Sequence, residues 1–251
     1  MGRKNRLSLL VVLLLAGLVS SAVSQGVQYD QQIQQDVEKL LASNSKFQNV
    51  TARVEDDIVT LEGTVKLYID MLEAENKVRR IPHVAGVRNH IEVEGNVPDD
   101  VLLNTLAEKL RYDRIGYGIM FNNLKLKVKN GVVTVSGDVL DYPARDSALA
   151  IIETTPGVKD VIDEINVLPP SPMDDELRLR VARATYGHPA LQKYAIDPQA
   201  PIRIVVKNGH VILAGAVDSP MDKQIAEVQA KSVPGVFSVE NDLVVENNKS
   251  K

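Results

Sequence analysis

The chain has no cysteine among its 251 residues. That absence excludes a disulfide framework, a thiolate metal site, a cysteine nucleophile and a lipid-modified N-terminal cysteine. Other chemical signatures are missing as well. His83, His90, His188 and His210 never fall at H-x-x-x-H or H-E-x-x-H spacing, and no G-x-S-x-G elbow, P-loop or dinucleotide fingerprint occurs. No metal, cofactor or catalytic residue is therefore expected. A formal charge of −4 argues against an overall electrostatic affinity for nucleic acid or anionic lipid and leaves room only for local basic patches. With 44% hydrophobic and 25% charged residues, the composition is that of a globular protein, neither disordered nor polytopic.

A single long apolar run is present, at the N-terminus. Arg3, Lys4 and Arg6 precede the stretch from Leu7 to Val19, and Ala22 and Ser24 suit the −3 and −1 positions of a signal-peptidase site. The uninterrupted stretch is shorter than the roughly 20 residues that span a bilayer. Residues 1–24 are thus expected to be a signal peptide cleaved before Gln25. The exported chain would carry 26 Lys and Arg against 33 Asp and Glu, a formal −7, and reside in the periplasm or outside the cell.

The remainder repeats itself three times. Gly63, Gly137 and Gly215 are 74 and 78 residues apart, and Pro82, Pro156 and Pro234 follow at the same intervals. Around each proline the same apolar pattern returns without insertion: Val84, Val87, Ile91 and Val93; Val158, Val161, Ile165 and Val167; Val236, Val239, Leu243 and Val245. The repeats run over 29–95, 97–168 and 171–246, joined by Gly95-Asn96 and by the stiff Pro169-Pro170-Ser171-Pro172.

Each repeat opens with an amphipathic helix pattern, with Asp30, Asp99 or Asp174 placed as an N-cap would be. A hairpin follows. Asn130-Gly131 and Asn208-Gly209 favour a type I′ turn, which sets Val128 opposite Val133 and Val206 opposite Val211. Asp56-Asp57 takes that place in repeat one, where a looser turn is expected. A second helix begins after the glycine and stops before the proline, and one more strand closes the unit. The fold class is α+β: three tandem αββαβ modules, each a three-stranded sheet covered on one face by two helices.

The segments Val59-Thr60-Leu61-Glu62-Gly63, Val133-Thr134-Val135-Ser136-Gly137 and Val211-Ile212-Leu213-Ala214-Gly215, each followed by its V-x-x-V last strand, resemble the BON domain, the bacterial osmotic-shock and nodulation module. The resemblance covers nearly the whole exported chain. It implies a non-enzymatic protein of the periplasm or envelope, active in osmotic or envelope stress, that binds phospholipid or other envelope components. An adaptor binding protein or peptidoglycan is the alternative, and an unrecognised hydrolase a remote one.

Three features distinguish the repeats. The segment between first helix and first strand is longer in repeats two and three and carries Tyr112, Tyr117, Phe121, Tyr186 and Tyr194, which could face a membrane or ligand or fold back over their own core. Lys77, Arg79, Arg80 and Arg88 gather positive charge near the end of a helix, as an anionic headgroup patch or as complements to the helix dipole. On the outer sheet face, Arg53/Thr60 and Lys127/Thr134 give way to Val205/Ile212 in repeat three, an apolar pair suited to a partner or a neighbouring module.

Overall fold

The computed structural model describes residues 29–113, 115, 120–196 and 201–246. The expected signal peptide and Tyr117 lie outside them. The chain divides into two compact units, the first ending at Gly95 and the second starting at Asn96. Module one fills the described part of the first unit, and modules two and three share the second.

In module one, helix α1 covers residues 29–42 and a 3-10 turn spans Ser45–Phe47. Strands β1 (Val50–Glu55) and β2 (Ile58–Val65), helix α2 (Tyr68–Val78) and strand β3 (Gly86–Val93) follow. Module two repeats the order with α3 (Asp99–Arg111), β4 (Asn123–Lys129), β5 (Val132–Val139), α4 (Tyr142–Glu153) and β6 (Asp160–Val167). Module three has α5 (Pro172–Gly187), an inserted α6 (Gln192–Ile196), β7 (Ile202–Lys207), β8 (His210–Val217), α7 (Pro220–Lys231) and a last strand in two pieces, β9 (Ser238–Asn241) and β10 (Val244–Val245). In every sheet the middle strand pairs antiparallel with its hairpin partner and parallel with the last strand.

The hydrophobic alternation fixes the register. Val54 faces Val59 and Ala52 faces Leu61; Val128 faces Val133 and Leu126 faces Val135; Val206 faces Val211 and Ile204 faces Leu213. A slip of one residue would turn these side chains away from the helices. The helices cover that face with Ile33, Val37, Ala74 and Val78 in module one, and with Leu102, Leu106, Ala148 and Ile152 in module two. Leu177, Val181, Ala226 and Ala230 do so in module three.

The repeated glycines stand where two backbones nearly touch. A Cβ on Gly63, Gly137 or Gly215 would lie 2.0, 2.0 or 1.9 Å from the carbonyl oxygen of Asn49, Asn123 or Pro201, and all three have positive φ. No other residue fits. The repeated prolines open a tight turn after the second helix, closed by bonds from Val84, Val158 and Val236 to the carbonyls of Ile81, Thr155 and Val233.

Two sequence expectations are corrected at the hairpin tips. Asp30, Asp99 and Asp174 do not cap their own helices: Pro98 and Ser171 hold the N-cap positions of α3 and α5. Each carboxylate instead accepts both amides of its hairpin turn. Asp30 takes the N–H of Asp56 (3.2 Å) and Asp57 (2.8 Å), Asp99 those of Asn130 (2.7 Å) and Gly131 (2.9 Å), and Asp174 those of Asn208 (2.8 Å) and Gly209 (2.9 Å). In this turn both central amides point out of the ladder, and a carboxylate can accept two donors at once. The turn of module one is not looser either. Asp56 and Asp57 have φ of 53° and 61°, against 54° and 78° for Asn130 and Gly131.

Asp174 is buried, which pushes its carboxyl upward, but the two turn amides, Ser171 and Arg178 outweigh burial and hold it below the usual carboxylate range. Its stabilising contribution is therefore present above the unfolded-state value of about 3.9 and is lost as pH falls through the lower folded value. Asp174→Asn should destabilise module three by about 1–3 kcal/mol at neutral pH. It should also speed amide exchange at Asn208 and Gly209, as read by NMR.

Candidate functional site

The four cations of module one do not form one surface. Lys77 and Arg79 lie on α2 and just beyond it, paired with Glu73 at 3.4 Å and with Glu75. Glu73 also binds Lys46 at 2.8 Å, and that bond above all holds its carboxyl low. For Glu75, burial raises the carboxyl, but Asn89 and Arg79 outweigh it and the net direction is down. Arg80 and Arg88 are exposed and have no carboxylate partner among the described residues. Arg88 sits on β3 beside Thr60, which faces Arg53 across β1, so these three share the sheet face turned away from the helices. His83 occupies a positive-φ position (68°) where modules two and three have Gly157 and Gly235, and its ring stacks on Tyr29 at 4.2 Å.

The loop aromatics separate by fate. Tyr112 is 67% exposed, whereas Tyr194 is buried. The Tyr194 hydroxyl donates to Asp222 at 2.8 Å and accepts from the Asp218 amide at 2.7 Å. Tyr186 packs against the core of module three, and its hydroxyl bonds the backbone of Ile202 on β7. Phe121 also packs against that core, although its sequence belongs to module two, and the neighbouring Met120 carbonyl accepts the Ile204 amide at 2.8 Å. Arg178 reaches the Val206 carbonyl at 2.9 Å. Each of the three outward-turned residues of β7 thus has a backbone group engaged. Val205 is 1% exposed on a strand that contacts β4 of module two, while Ile212 stays partly exposed.

Sequence reasoning missed one repeated cluster. Lys46-Phe47 and Lys193-Tyr194 precede the hairpins of modules one and three, and Asp70 and Asp222 follow Gly63 and Gly215 at equal spacing. Lys46 bridges Asp70 (3.0 Å) and Glu73 (2.8 Å), and Lys193 bridges Asp218 (2.8 Å) and Asp222 (2.9 Å). The adjacent aromatic ring is buried in both. Hydrogen bonds to Asp218 and Asp222 push the Lys193 ammonium up. Burial pulls the Asp222 carboxyl upward, but Lys193, Tyr194 and Ser219 outweigh it and the net direction is down. Module two has Ala144 at the matching position and uses Asp113 instead, bonded by the Ser147 hydroxyl at 3.0 Å. The repeated Lys-aromatic pair was the available signal.

Within the second unit, an open cleft of about 1260 Å³ lies between modules two and three, lined in part by Leu103, Ala107, Lys125, Lys193, Ala214 and Lys223. Lys125 spans it toward Asp242 at 3.8 Å. Of its charged lining, Lys193 also pairs with Asp218, and Lys223 donates to the Leu243 carbonyl at 2.7 Å. Among the described residues no group of three or more His, Asp or Glu could hold a metal ion, and no helix is long and apolar enough to cross a membrane.

Phe121 makes the coupling of modules two and three testable. Phe121→Ala removes a partly buried ring and should cost about 2 kcal/mol. The loss should appear as faster hydrogen exchange across 202–206 in module three, more than in β4 and β5 of module two, the module to which Phe121 belongs in sequence.

Comparison with known proteins agrees with the internal repetition. The chain is 27% identical to Osmotically-inducible protein Y of Escherichia coli (strain K12) over 175 residues, which cover 68% of this chain and 85% of that protein. Two solved structures of CdsD, a structural protein of the Type III secretion system of Chlamydia trachomatis, one of them of its C-terminal domain, show 15% and 14% identity. Each covers 84% of this chain, and 91% and 96% of the respective CdsD chains, with a TM-score of 0.25. The family model described as the BON domain matches residues 29–95, 99–169 and 189–247, the third match starting beyond α5. With three αββαβ modules in the structure and three matches along the sequence, the chain belongs to the BON domain family.

Proposed function

We propose that the protein is exported and acts in the cell envelope by binding rather than by catalysis, with phospholipid surfaces as its partner during osmotic or envelope stress. The observation that carries the reading is that BON modules account for almost all of the described chain. The similarity to Osmotically-inducible protein Y, which spans most of that protein, supports the link to osmotic stress. The basic and then apolar N-terminus supports export. Arg80 and Arg88 of module one, exposed and without a carboxylate partner among the described residues, are the cations that would meet headgroups, and Tyr112 is an exposed aromatic of module two.

Two measurements test this reading. Mass spectrometry of the protein recovered from expressing bacteria should find a mature N-terminus at Gln25; an intact Met1 would refute export by a cleaved signal. In flotation, the mature protein should rise with phosphatidylglycerol-containing vesicles and not sediment with peptidoglycan. Arg80→Gln together with Arg88→Gln should weaken vesicle binding, by about fivefold per charge at low salt and less at high salt. Capture by peptidoglycan without flotation would favour the adaptor.

A further inference from the structure

The hairpin tip of module three differs from the other two in one respect. In every module the residue three places after the repeated proline donates its N–H to the carbonyl of the second turn residue: Ala85 to Asp57 (2.8 Å), Lys159 to Gly131 (2.9 Å) and Phe237 to Gly209 (2.9 Å). The scaffold is the same, and the side chain it displays is not. Phe237 lies over Gly209, its ring 2.5 Å from where a Cβ would stand, yet is 78% exposed. On the other side of the same turn, Met173 precedes the clamping Asp174 and is 82% exposed. The matching positions in modules one and two are Tyr29, stacked on His83, and Pro98.

Charge favours one occupant. Lys207 and His210 flank the turn and are exposed, and His210 lies 6.0 Å from the Phe237 ring. The carboxylates of α5 at this end are engaged: Asp174 by the turn amides, Asp175 by Arg178, and Glu176 by Arg180 at 4.0 Å. Protruding apolar side chains beside the exposed Lys207 match an anionic bilayer surface, where the apolar groups enter the interface and the ammonium meets headgroups. A protein partner fits less well. One Phe buries about 150–250 Å² at most, far below the roughly 1,200–2,000 Å² of a specific protein interface. The turn is also held rigid before contact, so insertion pays little ordering cost.

We infer that the Asn208-Gly209 tip of module three, with Phe237 and Met173, is the element that enters the membrane interface. This rests on the lipid reading above and names the part of the chain that would serve it. Because the chain has no tryptophan, Phe237→Trp places a sole tryptophan at the tip, whose emission can be excited apart from that of the tyrosines. With vesicles of phosphatidylcholine and phosphatidylglycerol, its emission should shift to the blue and be quenched by brominated acyl chains, whereas Lys159→Trp on the equivalent tip of module two should do neither. Phe237→Ser with Met173→Ser should lower flotation at least tenfold while leaving the melting temperature within a few degrees. Flotation with an unshifted Phe237→Trp spectrum, or undiminished flotation of the double variant, would overturn the tip assignment and leave the lipid reading standing. Absence of flotation by the unmodified protein would overturn both.

Discussion

A carboxylate from the first helix, seated on the two outward amides of a hairpin turn, is the constraint on which each module depends. It joins the helix that opens the unit to the hairpin that organises its sheet. The turn carbonyl then accepts from the entry to the last strand, so one two-residue turn is tied to the first helix on one side and to the last strand on the other. An acceptor with full negative charge suits this place, since bonds to an ionised group are shorter and stronger than neutral ones. The glycines add a second, steric constraint by letting the start of the hairpin cross the middle strand at contact distance.

Much of this architecture was legible in the residues because it is local. Hairpin register follows from alternation and from a two-residue turn, and the pairs Val54/Val59, Val128/Val133 and Val206/Val211 all stand as that logic requires. The direction of the aspartate side chains was not legible, because it is a contact between residues 26 to 35 positions apart across segments of unequal length. Short-range rules assign a helix-initial Asp to its own helix, and here Pro98 and Ser171 already occupied that role. The Asp56-Asp57 turn misled for a related reason. Its two side chains tolerate left-handed backbone once both amides are bonded, and the neighbour that would have crowded Asp57 is Ala85, where the glycine turns carry Lys159 and Phe237 above them.

The candidate surfaces divided along the same line between local and long-range information. Charge clustering along the chain grouped Lys77, Arg79, Arg80 and Arg88, but alternation on β3 sends Arg88 to the sheet face opposite the helices, and two of the others meet glutamates one helical turn away. The longer loops were recognisable as departures from the repeat, whereas their destination was not. One delivers Phe121 to the core of the following module; the other, carrying α6, places Lys193 and Tyr194 at the start of α7. Loop growth in modules two and three has thus been spent on contacts inside the second unit, and the buried Val205 belongs to the same joint.

The occupied margin of β7 has a consequence for assembly. A hydroxyl from Tyr186, a carbonyl from Met120 and a guanidinium from Arg178 engage the amide and carbonyl of Ile202, the amide of Ile204 and the carbonyl of Val206 along that strand. Fibre growth by lateral strand addition requires each sheet to offer two open margins, one to receive a neighbour and one to pass the pairing on. With these partners in place an incoming strand meets no unbroken row of free groups along β7, which hinders lateral addition on that side of the sheet.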